Sequence, residues 1–447
     1  MSVAVVGGGI SGLAAAWTLA ATDEVVVLEA APRVGGKLQV APIADIPVDV
    51  GAEAMLARRP EGVGLLTELG LQPIAPLTTS AWVRAGGGLH ALPARTMLGI
   101  PADTEALRAS GVLSEHAVER VAAEPFLPPM PPLRSDVAVG ALVRERLGNE
   151  VADRLVEPLL GGVYAGRADA LSLQAAVPGV YAALGDGGSL VGAARSLLDG
   201  APASSDPVFA SLPGGLGRLP LALAESGRFE VRTGVTVRSI RRDRSGFVLD
   251  CGAVPMGYEL RADRVVVATP AAKSARMLAS LAPEAARDLA AIESASVAIV
   301  TFAFRDVDLP AGSGLLIGAR EGLAVKGVTI TSQKWPLATG GLVVLRASIG
   351  RAGDAQLLQR PDAELTALVR HELGVLLGIT ADPVDILVTR WGGALPQYAV
   401  GHVERVARIR AAADAVPGLA ICGATFDGVG IPACIASAQA AATRLGQ

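Results

Sequence analysis

Val3-Ala-Val-Val-Gly7-Gly-Gly9-Ile-Ser-Gly12 is followed by the apolar stretch Leu13–Ala20 and then by Val25-Val-Val-Leu28-Glu29. A short apolar run, a glycine turn, a helix-length apolar segment and a second apolar run ending at an acid predict a βαβ unit. Its strands are expected over Val3–Val6 and Val25–Leu28 and its helix over Leu13–Ala20. The glycines differ in what they make possible. Gly7 permits the tight turn, Gly9 lets the backbone approach a pyrophosphate, and Gly12 lets helix and strand pack closely. The start of the helix turns unpaired N–H groups and a partial positive charge toward phosphate. Glu29 stands 17 residues after Gly12, where a carboxylate can accept the hydroxyls of an adenosine ribose. The segment reads as a dinucleotide site, with Gly7, Gly9, Ile10, Ser11, Gly12 and Glu29 against the ligand.

No side chain between Met1 and Thr22 is charged, yet the segment is neither a secretion signal nor a membrane span. It lacks a basic start, its glycines interrupt the apolar run, and Asp23-Glu24 ends it before a cleavage motif. No other uncharged apolar run reaches the ~18–20 residues of a spanning helix. The expectation is a cytoplasmic protein, at most peripheral to the inner face of the cell membrane.

Composition bounds the rest. At 447 residues, 51% of them hydrophobic, the chain has room for about two or three domains with a sizeable core. A net charge of −4 and an aromatic content of 3% provide neither the cationic field nor the stacking platforms that nucleic acid requires, so no such partner is expected. Cys251, Cys422 and Cys434 form no CxxC pair and histidine is scarce, so no disulfide framework and no metal site is indicated. The cysteines are expected to be buried and unreactive.

Beyond Glu29 the pattern continues as Glu29-Ala30-x-x-Arg33-x-Gly35-Gly36-Lys37 and then Asp49-x-Gly51-Ala52-Glu53. It resembles the flavin-dependent amine oxidase and protoporphyrinogen oxidase superfamily, whose members bind FAD. The resemblance implies that Ala30, Arg33, Gly35, Gly36, Lys37, Gly51, Ala52 and Glu53 run along the pyrophosphate and flavin. It also implies that the backbone near Val235 meets the adenine and that Thr269, at the end of the apolar run Arg261–Pro270, adjoins the cofactor. The strand-like Gly418–Gly423 leads through Gly428-Val429-Gly430-Ile431 into an alanine-rich helix, whose start can offer amides to the flavin; Gly423 belongs to the same set. The expected fold is α/β. A discontinuous Rossmann-like FAD domain (1–75, 205–272 and 415–447) carries a mixed-sheet substrate domain (76–99 and 273–414) and a helical domain (100–204). Helical periodicity marks Val137–Leu147, Leu190–Leu198 behind Ser189 as N-cap, and Leu365–Leu377, while Val297–Phe304 and Leu342–Ser348 alternate like strands.

Further motifs follow in order: Gly161-Gly-Val-Tyr164-Ala-Gly166, Ile330-Thr-Ser-Gln-Lys334-Trp335-Pro336, Arg390-Trp391, Ala394-Leu-Pro-Gln-Tyr398, Gly401-His402 and Gly428-Val-Gly-Ile-Pro432. The ordered set looks like the bacterial protoporphyrinogen/coproporphyrinogen oxidases over nearly the whole chain. Actinobacterial members act mostly on coproporphyrinogen III, so the resemblance implies oxidation of that substrate in three two-electron steps, with molecular oxygen as acceptor and H2O2 released. Protoporphyrinogen IX is the alternative substrate, and a flavin amine oxidase is a further alternative. A monomer or homodimer, with transient contact to the next haem-pathway enzyme, fits the same resemblance. There are two departures: Ala433 stands where most relatives have an acid, and Glu53 where eukaryotic relatives place an arginine.

The propionates of such a substrate need cations, for which bidentate arginine is best suited. Arg58, Arg59, Arg95, Arg167 and Lys334 are the candidates, with Glu53 beside them. Lys334 is one of only four lysines and sits inside a motif; with Trp391 it is the candidate catalytic group. Trp391 and Tyr398 could wall the cavity, and His402 reads as structural. The rival from another class is a non-catalytic relative that uses the fold to bind a protein; it predicts degraded flavin motifs, whereas Glu29, Arg33, Gly35 and Gly36 are all present.

Overall fold

A computed structural model describes residues 1–201 and 207–446; the expected boundary at 204/205 lies outside them. Ser2–Val6 is the centre of a five-stranded parallel sheet ordered Glu230–Arg232, Glu24–Leu28, Ser2–Val6, Arg264–Val267, Leu419–Ile421. Its strands are apolar because both faces are covered. The helices Ile10–Leu19 and Ile431–Gly446 pack together on one face with Val3, Val5, Val27 and Val266. On the other face Ala4, Val6, Val265 and Val267 meet the helices Ala271–Leu278 and His402–Asp414.

The first helix starts three residues earlier than the apolar pattern suggests, directly behind Gly9. Apolar periodicity marks only the buried turns, whereas the ligand-facing first turn is Ile10-Ser11-Gly12. The run Arg261–Pro270 divides into Tyr258–Ala262, in a three-stranded meander, and Arg264–Val267. Asp263 makes the break, because its carboxylate accepts the Ser2 N–H at 2.8 Å and turns the chain onto the parallel sheet.

A seven-stranded sheet is ordered Asp385–Pro396, Ser294–Phe304, Val343–Ile349, Val325–Thr329, Gly314–Ile317, Trp82–Ala85, Gly88–Ala91. Period-two alternation divides its faces. Val300, Phe302, Leu345 and Ala347 face the helix Asp362–Leu377, whereas Ala303 and Val344 meet Ile43, Val48 and Val50 of the hairpin that follows the nucleotide loop. Residues 104–199 form a helical body whose core joins Val139, Leu147, Leu160 and Tyr164 to Tyr398 of the sheet domain. Its helix Leu190–Asp199 starts as expected, with Ser189 Oγ accepting the Gly192 N–H at 2.9 Å. The fully buried Glu124 accepts the N–H groups of Leu190 and Val191 at 2.9 and 3.1 Å.

Candidate cofactor and substrate site

The glycines of the first loop separate into packing and open positions. A Cβ on Gly12 would lie 1.8 Å from the Gly7 carbonyl oxygen, while one on Gly9 would meet no atom within 4 Å. Gly9 is the N-cap of the first helix, and no side chain caps that helix, so its leading amides face the same open side. Gly35 folds back onto the loop through its N–H to the Gly8 carbonyl at 2.7 Å, and Gly36 approaches Gly9 Cα. Glu29 is pinned by the N–H groups of Gly8 (2.6 Å) and Ala31 (2.8 Å), which leaves carboxylate lone pairs for a ligand. Ala30 beside it is exposed. Val235 donates its N–H to the Glu29 carbonyl at 2.8 Å, and a Cβ on Gly7 would lie 3.2 Å from Thr269 Cγ2.

A second helix start lies alongside. Ser11 and Gly423 adjoin, with Gly423 N–H donating to Ser437 Oγ at 3.2 Å. Among the described residues the amides of Val429, Gly430 and Ile431 donate to no backbone or side-chain acceptor. Burial lowers the Lys37 ammonium, against the opposing pull of Cys434. Two uncapped helix starts, an open glycine and an anchored carboxylate fit a dinucleotide. All three cysteines are buried, and burial pushes Cys422 up to about 12.

Arg33 donates to the carbonyls of Val34 and Gly36 at 3.1 and 3.2 Å and lies 5.9 Å from the Trp391 ring centroid. Trp391 Nε1 donates to the Val50 carbonyl at 2.9 Å, and its ring edge would touch a Cβ on Gly51. Next to this contact Glu53 accepts from Lys334 Nζ and Arg346, both at 2.6 Å. Arg346 also donates to the Gly51 carbonyl at 2.5 Å. Burial works to raise the Glu53 carboxyl, but the two cations hold it below its usual range. Asp49, one turn of chain away, is raised to about 6 by burial despite the N–H groups of Leu216 and Gly217.

Lys334 and Trp391 therefore converge with Gly51, Ala52 and Glu53, as the motifs suggested, and Arg346 completes the group. Arg346 was missed by sequence reading, although an arginine inside the apolar strand Val343–Ile349 is itself a sign of a buried partner. The other candidates do not converge. Arg59 pairs with Glu61 at 2.8 Å, Arg95 with Asp199 and Asp103, and Arg167 with Asp354 at 3.4 Å. Arg58 is exposed and enters no ion pair among the described residues. Tyr398, expected on the cavity wall, is instead buried at 1% exposure, with its hydroxyl bonded to loop backbone; its aromatic bulk is taken up by packing on Tyr164 and His402. A hollow of about 660 Å³ beside the helix Asp362–Leu377 contains none of these groups. A cleft of about 290 Å³ lined by Arg59, Arg410, Asp427 and Ala433 flanks the C-terminal helix.

A profile of flavin containing amine oxidoreductases matches residues 10–446. The chain belongs to this family. Its cofactor is accordingly a flavin, in the FAD form that the two helix starts and Glu29 accommodate. The chain is 40% identical over 447 residues to the coproporphyrinogen III oxidase of Mycobacterium leprae, covering 98% of this chain and 96% of the relative. It is 32% identical to the coproporphyrinogen III oxidase of Bacillus subtilis, at 98% and 96% coverage. Among solved structures, a candidate protoporphyrinogen oxidase from Exiguobacterium sp. 255-15 superposes with a TM-score of 0.88 at 30% identity, covering 100% of this chain and 99% of the other. A putrescine oxidase shares the fold, with a TM-score of 0.72 at 19% identity and coverages of 99% and 98%. No helix among the described residues is long and apolar enough to cross a membrane.

Proposed function

We propose that this family member oxidises coproporphyrinogen III to coproporphyrin III in haem biosynthesis, using FAD and molecular oxygen. The carrying observation is the end-to-end identity of 40% with the Mycobacterium leprae coproporphyrinogen III oxidase. The ordered motifs support it, and Lys334 and Trp391 both reach the Val50–Glu53 segment.

When bound, the flavin takes up two electrons at a time from the substrate and passes them to oxygen, so aromatising the macrocycle takes three rounds. The chain's own part is to bind and orient. The amides ahead of the helices Ile10–Leu19 and Ile431–Gly446 hold the phosphates and the flavin edge, and Glu29 holds the ribose. A porphyrinogen is electron-rich, so its pyrrole nitrogens stabilise the positive charge that develops on oxidation and no strong base is required. The cluster agrees with this chemistry, because Glu53 is held ionised by two cations and is a poor proton acceptor. Its role is to hold Arg346, which in turn bonds the Gly51 carbonyl beside Trp391, where orientation supplies most of the available catalysis. Of the candidate cations outside the Glu53 cluster, Arg58 is exposed and without an ion pair among the described residues, which leaves its charge available to a propionate.

The decisive experiment is anaerobic mixing of the yellow protein with coproporphyrinogen III and, separately, with protoporphyrinogen IX, following loss of flavin absorbance. Faster bleaching by the first is expected. Faster bleaching by the second moves the chain to the protoporphyrin route, and no bleaching by either rejects both.

A further inference from the structure

The loop from Ala424 to Gly430 leads into the C-terminal helix, and its amides are not equivalent. Those of Val429, Gly430 and Ile431 have no acceptor among the described residues, but the Gly428 N–H donates to Tyr398 Oη at 2.9 Å, and that hydroxyl donates in turn to the Ala424 carbonyl at 2.6 Å. One phenol oxygen thus closes the loop at both ends. Gly428 has φ +140, a conformation that few side chains adopt, so the loop shape is specific and needs an external hold. Beneath the phenol, the His402 ring stacks at 4.0 Å and 16° and is 2% exposed. The other side of Tyr398 belongs to the helical body. Tyr164 packs on its ring at 5.6 Å, the Ser172 N–H donates to its carbonyl at 2.8 Å, and Gln397 Nε2 donates to the Tyr164 carbonyl at 2.9 Å.

We propose that Tyr398, seated on His402, is a positioning residue for the flavin: its hydroxyl presets the Ala424–Gly428 loop so that the next three amides are aimed before the cofactor arrives, and it ties that loop to the helical body. In this role Tyr398 acts through the backbone of Gly428. The inference rests on the assignment of Val429–Ile431 to the flavin, and not on which porphyrinogen is oxidised. It accounts for a tyrosine and a histidine four residues apart, both buried at the joint of three bodies, without giving either a chemical step.

The test combines exchange and affinity. In wild-type apoprotein, amide hydrogen exchange should show Gly428 protected at least about 100-fold more than Val429 and Gly430, and FAD should then protect Val429–Ile431. Tyr398→Phe keeps the ring packing and removes both bonds. It should release Gly428 exchange and raise the Kd for FAD about tenfold, with a shifted flavin midpoint potential, while Tyr164→Phe leaves all three unchanged. Wild-type FAD affinity and potential in Tyr398→Phe overturn the proposal, as does a Gly428 amide that exchanges as fast as Val429 in wild-type apoprotein. If Tyr398→Phe yields no folded protein, the wild-type exchange decides alone. Failure of FAD to protect Val429–Ile431 is a distinct outcome that removes the loop's flavin assignment and this proposal with it.

Discussion

Glu53, Lys334 and Arg346 form a largely buried three-charge group in which one carboxylate bridges two cations, Lys334 from the short helix Thr331–Lys334 and Arg346 from the strand Val343–Ile349. Removing one partner of such a group leaves charge without compensation, so Glu53→Gln should destabilise the protein by about 3–5 kcal/mol. Urea denaturation measures this, and a loss under ~1 kcal/mol would show that the cations find other partners. Arg58→Ala should leave the fold intact and raise KM for coproporphyrinogen by on the order of tenfold with kcat little changed, the loss of one charge-assisted contact; an unchanged KM removes Arg58 from the substrate. His402 bears a pH signature. Burial lowers its pKa from 6.5 to about 4, so between those values the unfolded chain binds a proton that the native state does not. Stability should therefore be fully present above pH ~6.5 and fall as the pH drops toward ~4, by about 3 kcal/mol, and His402→Gln should flatten this part of the curve. A variant with the same acid limb as wild type would contradict the assignment. Lys334 was legible at this scale because lysine is rare in the chain. Arg346 was not, since a charge inside an apolar strand declares its burial but not its partner.

The nucleotide loop shows how much an element can state by itself. The glycine spacing between two apolar runs predicted strand, turn, helix and strand, and these elements are present. The spacing assigned Gly9 to the ligand side and Gly12 to close packing, and the clearances agree with it: a Cβ on Gly12 would meet the Gly7 carbonyl, whereas one on Gly9 would meet nothing. Gly12→Ala should yield little folded, yellow protein, because its Cβ would occupy the Gly7 carbonyl. Gly9→Ala should cost the apoprotein at most about 1 kcal/mol, as for an N-cap change, yet weaken FAD binding at least tenfold by blocking the backbone's approach. Thermal melts of the apoproteins and FAD titrations test the pair; equal effects of the two substitutions on apoprotein stability would refute the distinction. The same contrast explains the helix boundary at Ile10, because periodicity reports the faces that bury and is silent about a turn kept open for phosphate.

Over the whole molecule, the parallel sheet gathers strands from residues 2–6, 24–28, 230–232, 264–267 and 419–421, so the glycine loop and the C-terminal helix meet only after the rest of the chain has folded. The proposed FAD site spans that junction and so does not exist in the unfolded chain. At free FAD about 100 times its Kd, the native state should gain about 2.7 kcal/mol and the Tm should rise with FAD concentration; a Tm independent of FAD would place the cofactor elsewhere. The sequence by itself determined the α/β class and, through the resemblance its ordered motifs carry, the flavin family, because the βαβ unit depends on local periodicity and on glycines whose roles are set by their neighbours along the chain. Only the tertiary structure decided that Lys334 and Arg346 share Glu53, that Arg59, Arg95 and Arg167 are occupied by their own acids, and that Tyr398 holds backbone rather than substrate. Arg59, paired with Glu61, has its partner close along the chain; the long-range outcomes depend on which side chain a charge or phenol meets across up to hundreds of residues, and pairing of that kind is set by packing in three dimensions, on which sequence spacing carries no information.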